Sequence, residues 1–78
     1  SMTVHVRYFA SLCDRVGRAE DRLDAADGLT VAGVWAALHR EMPLPTNVLA
    51  AVNMEYAGLE HAVRDGDEVA FFPPVTGG

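Results

Sequence analysis

The chain has 78 residues, a single cysteine, eleven Asp and Glu against six arginines, no lysine, and a formal net charge of −5. That length allows one domain burying about 60–65% of its unfolded surface, and a composition 50% apolar and 22% charged reads as a folded globule, not a disordered segment. The acidic balance argues against nucleic acid, whose phosphates need a basic face, one cysteine excludes an internal disulfide, and no apolar run reaches the ~20 residues of a membrane-spanning helix.

Thr3 to Phe9 alternates, with Val4, Val6 and Tyr8 on one side and His5, Arg7 and Phe9 on the other, which predicts a half-buried strand. Ala10 to Val16 carries Leu12 and Val16 at helical spacing, and Gly17 stands where a short helix stops. Glu20 to Leu23 predicts a returning strand, followed by a turn at Asp27-Gly28. Thr30 is positioned to cap the main helix, in which Val31, Val34, Trp35, Leu38 and Met42 recur on one face and which Pro43 and Pro45 end. Val48 to Val52 reads as a third strand and Asn53 as the start of a turn; Tyr56 to Val63 has the weakest pattern and is compatible with a short strand. Asp65-Gly66 turns the chain into a last strand from Glu68 to Phe72. By periodicity alone the class is α+β.

Past that strand the sequence reads Pro73-Pro74-Val75-Thr76-Gly77-Gly78. Two prolines fix φ and favour an extended course away from the body. Six residues then reach roughly 20 Å at ~3.3 Å each. Gly77 and Gly78 leave no Cβ beside the carboxylate, so a narrow channel can close on bare backbone and ATP can be brought to the last carbon. A terminal diglycine also arises by chance and chain ends fray, so the weight rests on the whole block.

The AAVN stretch at Ala50 to Asn53, the DGDEVAFFPPVTGG run from Asp65 to Gly78 and the opening VRYFASL from Val6 to Leu12 resemble the small subunit of molybdopterin synthase, the sulfur-carrier family of molybdenum-cofactor biosynthesis. The likeness is densest over the terminal block. Pro43-Leu44-Pro45 and Cys13 depart from the family pattern. The resemblance implies a ubiquitin-like β-grasp over residues 2–72, a mixed sheet of four to five strands on one main helix plus a short helix, with residues 73–78 as an extended tail. It further implies a central parallel pairing of first and last strands. With Val69 and Phe71 facing in, Ala70 and Phe72 face out, and Phe72 then lies near Phe9 at the end from which the tail leaves. An exposed aromatic pair is a binding-patch signature, and the resemblance adds Tyr56 as a contact residue.

By the same resemblance, an E1-like, ATP-dependent adenylyltransferase and sulfurtransferase activates Gly78, a sulfur donor leaves a C-terminal thiocarboxylate, and the tail (Pro73, Pro74, Val75, Thr76, Gly77, Gly78) enters the large synthase subunit of a heterotetramer. There it delivers sulfur to a cyclic pyranopterin monophosphate, the large subunit supplying the catalytic groups. The chain itself shows no nucleophile–base pair or phosphate loop, so it reads as a carrier that binds no cofactor, the ATP being used by the activating enzyme. Cys13 reads as a surface thiol, not a sulfur relay, because nothing near it in sequence would lower its pKa. His5, His39 and His61 lack metal-ligand spacing, and Asp65 with Asp67 belongs to the turn. Trp35 and the methionines read as core or surface filling. An acidic carrier is drawn to partners made basic by anionic substrates. With no leader-like charged and apolar regions, the expected compartment is the cytoplasm, Ser1 before Met2 being set aside as a remnant of tag removal. The alternatives are the same carrier chemistry feeding thiamine, cysteine or another sulfur pathway, a ubiquitin-like protein modifier, or an interaction module with an unreactive tail.

Overall fold

The computed structural model describes residues 2–74. Strand β1 (Thr3–Tyr8) leads into helix α1 (Ser11–Val16), and β2 (Glu20–Asp24) into helix α2 (Val31–Leu38). Strands β3 (Leu49–Val52), β4 (Glu55–Ala57) and β5 (Glu68–Phe72) complete the chain order. The five strands form one mixed sheet in the order β2-β1-β5-β3-β4. β1 pairs with β5 in parallel, Val6 opposite Val69 and Tyr8 opposite Phe71. β3 runs antiparallel to β5 and to β4, and β2 antiparallel to β1. This is the β-grasp arrangement implied by the resemblance, with five strands.

Strand parity decides what is buried. Val4, Val6, Val69 and Phe71 on the inner face are completely buried and Tyr8 nearly so. They pack on Val31, Val34 and Trp35 of α2 and on Leu12 of α1. Phe71 lies at the centre, its ring edge-on to Trp35 with centroids 5.1 Å apart and stacked on Tyr8 at 6.2 Å. The Thr30 hydroxyl accepts from the Gly33 N–H at 3.1 Å and starts α2, as its capping role predicts. Gly17, at φ 87°, ends α1 by donating its N–H to the Cys13 carbonyl. Asp65 and Asp67 act as the turn reading expects: Asp65 accepts from the Thr3 N–H and Asp67 from the Arg64 N–H, around Gly66 at φ 86°.

Several boundaries differ from the sequence pattern. α2 ends at Leu38, so Met42 lies beyond the helix it was expected to close. There the Trp35 indole N–H donates to the Met42 carbonyl at 2.9 Å, folding residues 39–42 back under the helix, and Pro43 cannot continue a ladder. Phe9 falls just outside β1, because Ala10 turns the chain at φ 54° and ψ −138°; the Phe9 N–H still reaches the Phe71 carbonyl at 3.0 Å. The short strand left open between Tyr56 and Val63 is β4, which begins at Glu55.

A polar cluster seals one edge of this core. The Tyr8 hydroxyl donates to Asp21 Oδ2 at 2.8 Å and lies 2.7 Å from His39 Nε2. Its only hydrogen goes to a carboxylate, so His39 Nε2–H is the donor in the second bond. Burial, with Asp21 alongside, pushes the Tyr8 phenol far above its ordinary range. Burial, then the Arg18 charge, lowers His39. Arg18 in turn holds Asp21 through a 2.6 Å bond.

Phe71→Ala is expected to cost about 3–5 kcal/mol, a large share of the ~4–12 kcal/mol that a domain of this size holds. Phe72→Ala, one residue on and facing outward, should cost under ~1 kcal/mol. Urea unfolding of the two variants checks the contrast; equal losses would overturn the assigned strand parity.

His39 binds a proton less readily folded than unfolded, so the unfolded chain holds more protons on the acid side of ~6.5. Stability should therefore fall as pH drops from about 6.5 through the lower folded-state value. His39→Gln is expected to flatten this part of a stability–pH profile; an unchanged slope would remove His39 as its source.

Candidate docking face and tail exit

The outer face of the sheet has two halves of different chemistry. Its floor is made by Ala51 and Ala70, paired across β3 and β5. Small residues there leave a hollow of about 320 Å³, which Phe9, Met54, Tyr56 and Phe72 surround. Arg7 and Glu68 border it on the other side, 4.0 Å apart and both about half exposed. The Arg7 guanidinium also lies 5.3 Å from the Phe9 ring centroid, close enough for a cation–π contact.

Each aromatic has a traceable position. Tyr56 stands opposite Ala51 on β4 and is 77% exposed. Phe72 ends β5 opposite Leu49, and its ring is 5.8 Å from that of Tyr56. Phe9, delivered by the turn at Ala10, is 42% exposed. The structure thus gathers Phe9, Tyr56 and Phe72 around one hollow, and a contiguous apolar patch of this kind is what a docking surface presents. Pro73 is half-buried and Pro74 exposed as the chain leaves β5 beside Phe72. The expectations for Val75, Thr76, Gly77 and Gly78 lie outside the described residues.

Sequence reasoning missed four contributors. Leu49, 38% exposed, extends the apolar rim, and a strand pairing would have been needed to place it beside Phe72. Ala70 was legible as outward-facing by alternation, but its role as a floor beside Ala51 depends on register. Met54 was taken as filling, yet it is 91% exposed. Among the described residues no group of three or more His, Cys, Asp and Glu could hold a metal ion. Cys13 is half-buried and packs against the core, less of a surface residue than expected. No helix of the described residues is long and apolar enough to cross a membrane.

A five-stranded β-grasp whose last strand runs past an exposed aromatic hollow into a proline-led tail defines a ubiquitin-like protein. The comparisons narrow the class. The model of the ThiS family matches residues 6–78, and the chain belongs to that family. It is 39% identical, over 96% of its length and 99% of the relative's, to a protein of Escherichia coli (strain K12) named molybdopterin synthase sulfur carrier subunit. Among solved structures it is similar to SAMP1 from Haloferax volcanii, with a TM-score of 0.80 and 30% identity over 97% of this chain and 99% of that one. It is also similar to a chain in the complex of subunits 1 and 2 of molybdopterin-converting factor from Helicobacter pylori 26695, with a TM-score of 0.67 and 25% identity over 99% of this chain and all of that one.

Proposed function

We propose that the chain is the sulfur carrier subunit of a molybdopterin synthase and that Gly78 is its reacting residue. The observation that carries this reading is the aromatic hollow placed at the very point where β5 passes into the tail. Full-length similarity to relatives named for that role supports it. A carboxylate is a poor electrophile, so the tail must first be activated. An oxygen of the Gly78 carboxylate attacks the α-phosphorus of ATP in the activating enzyme, pyrophosphate leaves, and an acyl adenylate forms. Sulfur at the sulfide level, supplied as hydrosulfide by a donor, then attacks the carbonyl carbon, the bond to AMP breaks and AMP departs, leaving sulfur where a carboxylate oxygen had been.

The thiocarboxylate is anionic and nucleophilic. Carried by the tail into the large synthase subunit, its sulfur bonds to the cyclic pyranopterin monophosphate, and water then cleaves the acyl–sulfur bond, leaving the sulfur on the pterin and Gly78 as a carboxylate ready for another cycle. The exposed hollow contributes affinity and the side-chain-poor tail contributes selection by width. No residue of this chain other than Gly78 takes part in bond making, in keeping with a carrier that relies on its partners for acid–base groups. The surroundings of the reaction are those of an intracellular metabolic pathway, the cytoplasm.

A second reading, protein modification, is favoured by the likeness to SAMP1, a small archaeal modifier protein. It meets a chemical boundary in the sequence. With no lysine among the 78 residues, an attached copy offers no side-chain amine to a following copy, so chains of copies linked through lysine would not form.

Intact-mass measurement after incubation with the cognate activating enzyme, ATP and a sulfur donor is expected to show one oxygen exchanged for sulfur, confined to the C-terminal peptide with Cys13 unchanged. A variant with one residue added after Gly78 should keep its fold and lose all sulfur transfer. Full transfer by an unprocessed extended variant, or sulfur found on Cys13 as an obligatory intermediate, would overturn the mechanism. Isopeptide-linked products in cells, with no pterin conversion, would favour the modifier instead.

A further inference from the structure

Met54 is the most exposed large hydrophobic residue among those described, at 91%, and its backbone position is unfavourable to it. Asn53 and Met54 form the two-residue connection between β3 and β4, at φ 50° and 70°. That is the left-handed geometry of a type I′ hairpin turn, in which glycine is the usual second residue because any Cβ crowds the neighbouring carbonyl. A methionine there carries backbone strain and buries almost nothing of its own side chain.

The strain is held in place by its neighbour. Asn53 donates its N–H to the Glu68 carbonyl at 2.8 Å, accepts the Glu68 N–H on Oδ1 at 3.0 Å, and donates from Nδ2 to Asp67 Oδ1 at 2.9 Å. Three bonds fix the turn against the start of β5, the circumstance in which an unfavourable φ persists. Met54 is thereby presented on a rigid support. Its side chain lines the same hollow as Phe9, Tyr56 and Phe72, yet the turn lies at the Glu68 end of β5. Phe72 is four residues away along that strand, about 13 Å at ~3.3 Å per residue.

We propose that Met54 is a second anchor for the large synthase subunit, seated at the end of the hollow remote from the tail. This rests on the docking reading given above. A body held only by its tail and the Phe72 end pivots about that attachment; a contact some 13 Å away fixes its orientation and so the direction in which the tail enters. The hollow is continuous between the two ends, so one partner surface covers both. The large subunit is the occupant because a chain of this fold is joined to a second subunit in the Helicobacter pylori complex. An unbranched thioether suits a partner pocket of irregular shape.

The test measures thermal unfolding of the full chain and its binding to the cognate large subunit for Met54→Gly, Met54→Leu and Phe72→Ala. Met54→Gly is expected to raise Tm, by relieving the left-handed strain, while weakening binding about tenfold, chiefly through faster dissociation. Met54→Leu, which keeps an apolar side chain of similar length, should bind within about threefold of the parent. If Met54→Gly binds like the parent while Phe72→Ala binds about tenfold or more weakly, the far anchor is wrong and the docking reading stands. If neither substitution alters binding, the docking reading itself falls. A lowered Tm for Met54→Gly would overturn the claim of strain. Weakened activation by the adenylating enzyme with unchanged large-subunit binding would assign Met54 to that other partner and overturn the proposal.

Discussion

The parallel pairing of β1 with β5 joins the two ends of the sequence, and the remaining structure is arranged around it. Everything from Phe9 to Asp67 is a crossover between these two strands. Val4, Val6, Tyr8, Val69 and Phe71 supply the inner surface on which both helices lie, and the same pairing brings Phe9 and Phe72 to one end of the outer surface. Because alternation is strict, one set of residues makes the core and the intervening set makes the exposed outer face. A slip of one residue in this register would exchange the two, exposing Phe71 and burying Phe72.

The polar interactions are concentrated where the sheet cannot seal itself. At the tail-exit end, Tyr8 reaches past the last inner position of β1 to Asp21 and His39 and joins β1, the start of β2 and the end of α2. At the opposite end, Asp65, Asp67 and Asn53 accept hydrogen bonds from the backbone N–H groups of Thr3, Arg64 and Glu68. These carboxylates are half or fully exposed, and hydrogen bonds from the Arg64 N–H and the Asn53 amide hold Asp67 below the usual carboxylate range. They order the turns, and the apolar inner face supplies most of the burial.

What could be read from residue order was whatever depends on local alternation. β1 and β5 gave their inward and outward sets directly, and Thr30 announced the start of α2. The end of α2 could not be read, since Met42 continues the helical spacing and only the Trp35 indole and the Tyr8–His39 bond, both made across the fold, draw the chain away after Leu38. His39 was set aside as a scattered histidine for the same reason: its partner is 31 residues distant. The turn at Ala10 and the left-handed Met54 were hidden because neither residue type favours such a backbone. Both lie beside the outer-face hollow, and a candidate site is where local preference and observed conformation most often disagree. The family resemblance named Tyr56, which periodicity had left unplaced.

The tail is the direct continuation of a central strand, and this has a mechanical consequence. β5 is bonded to β1 on one side and to β3 on the other, so tension applied to the tail acts along the strand axis, parallel to both ladders. The hydrogen bonds on either side are then strained together in shear, instead of opening one after another as they would if an edge strand were peeled away. A pull on the chain beyond Phe72 is therefore borne by a strand braced on both of its sides.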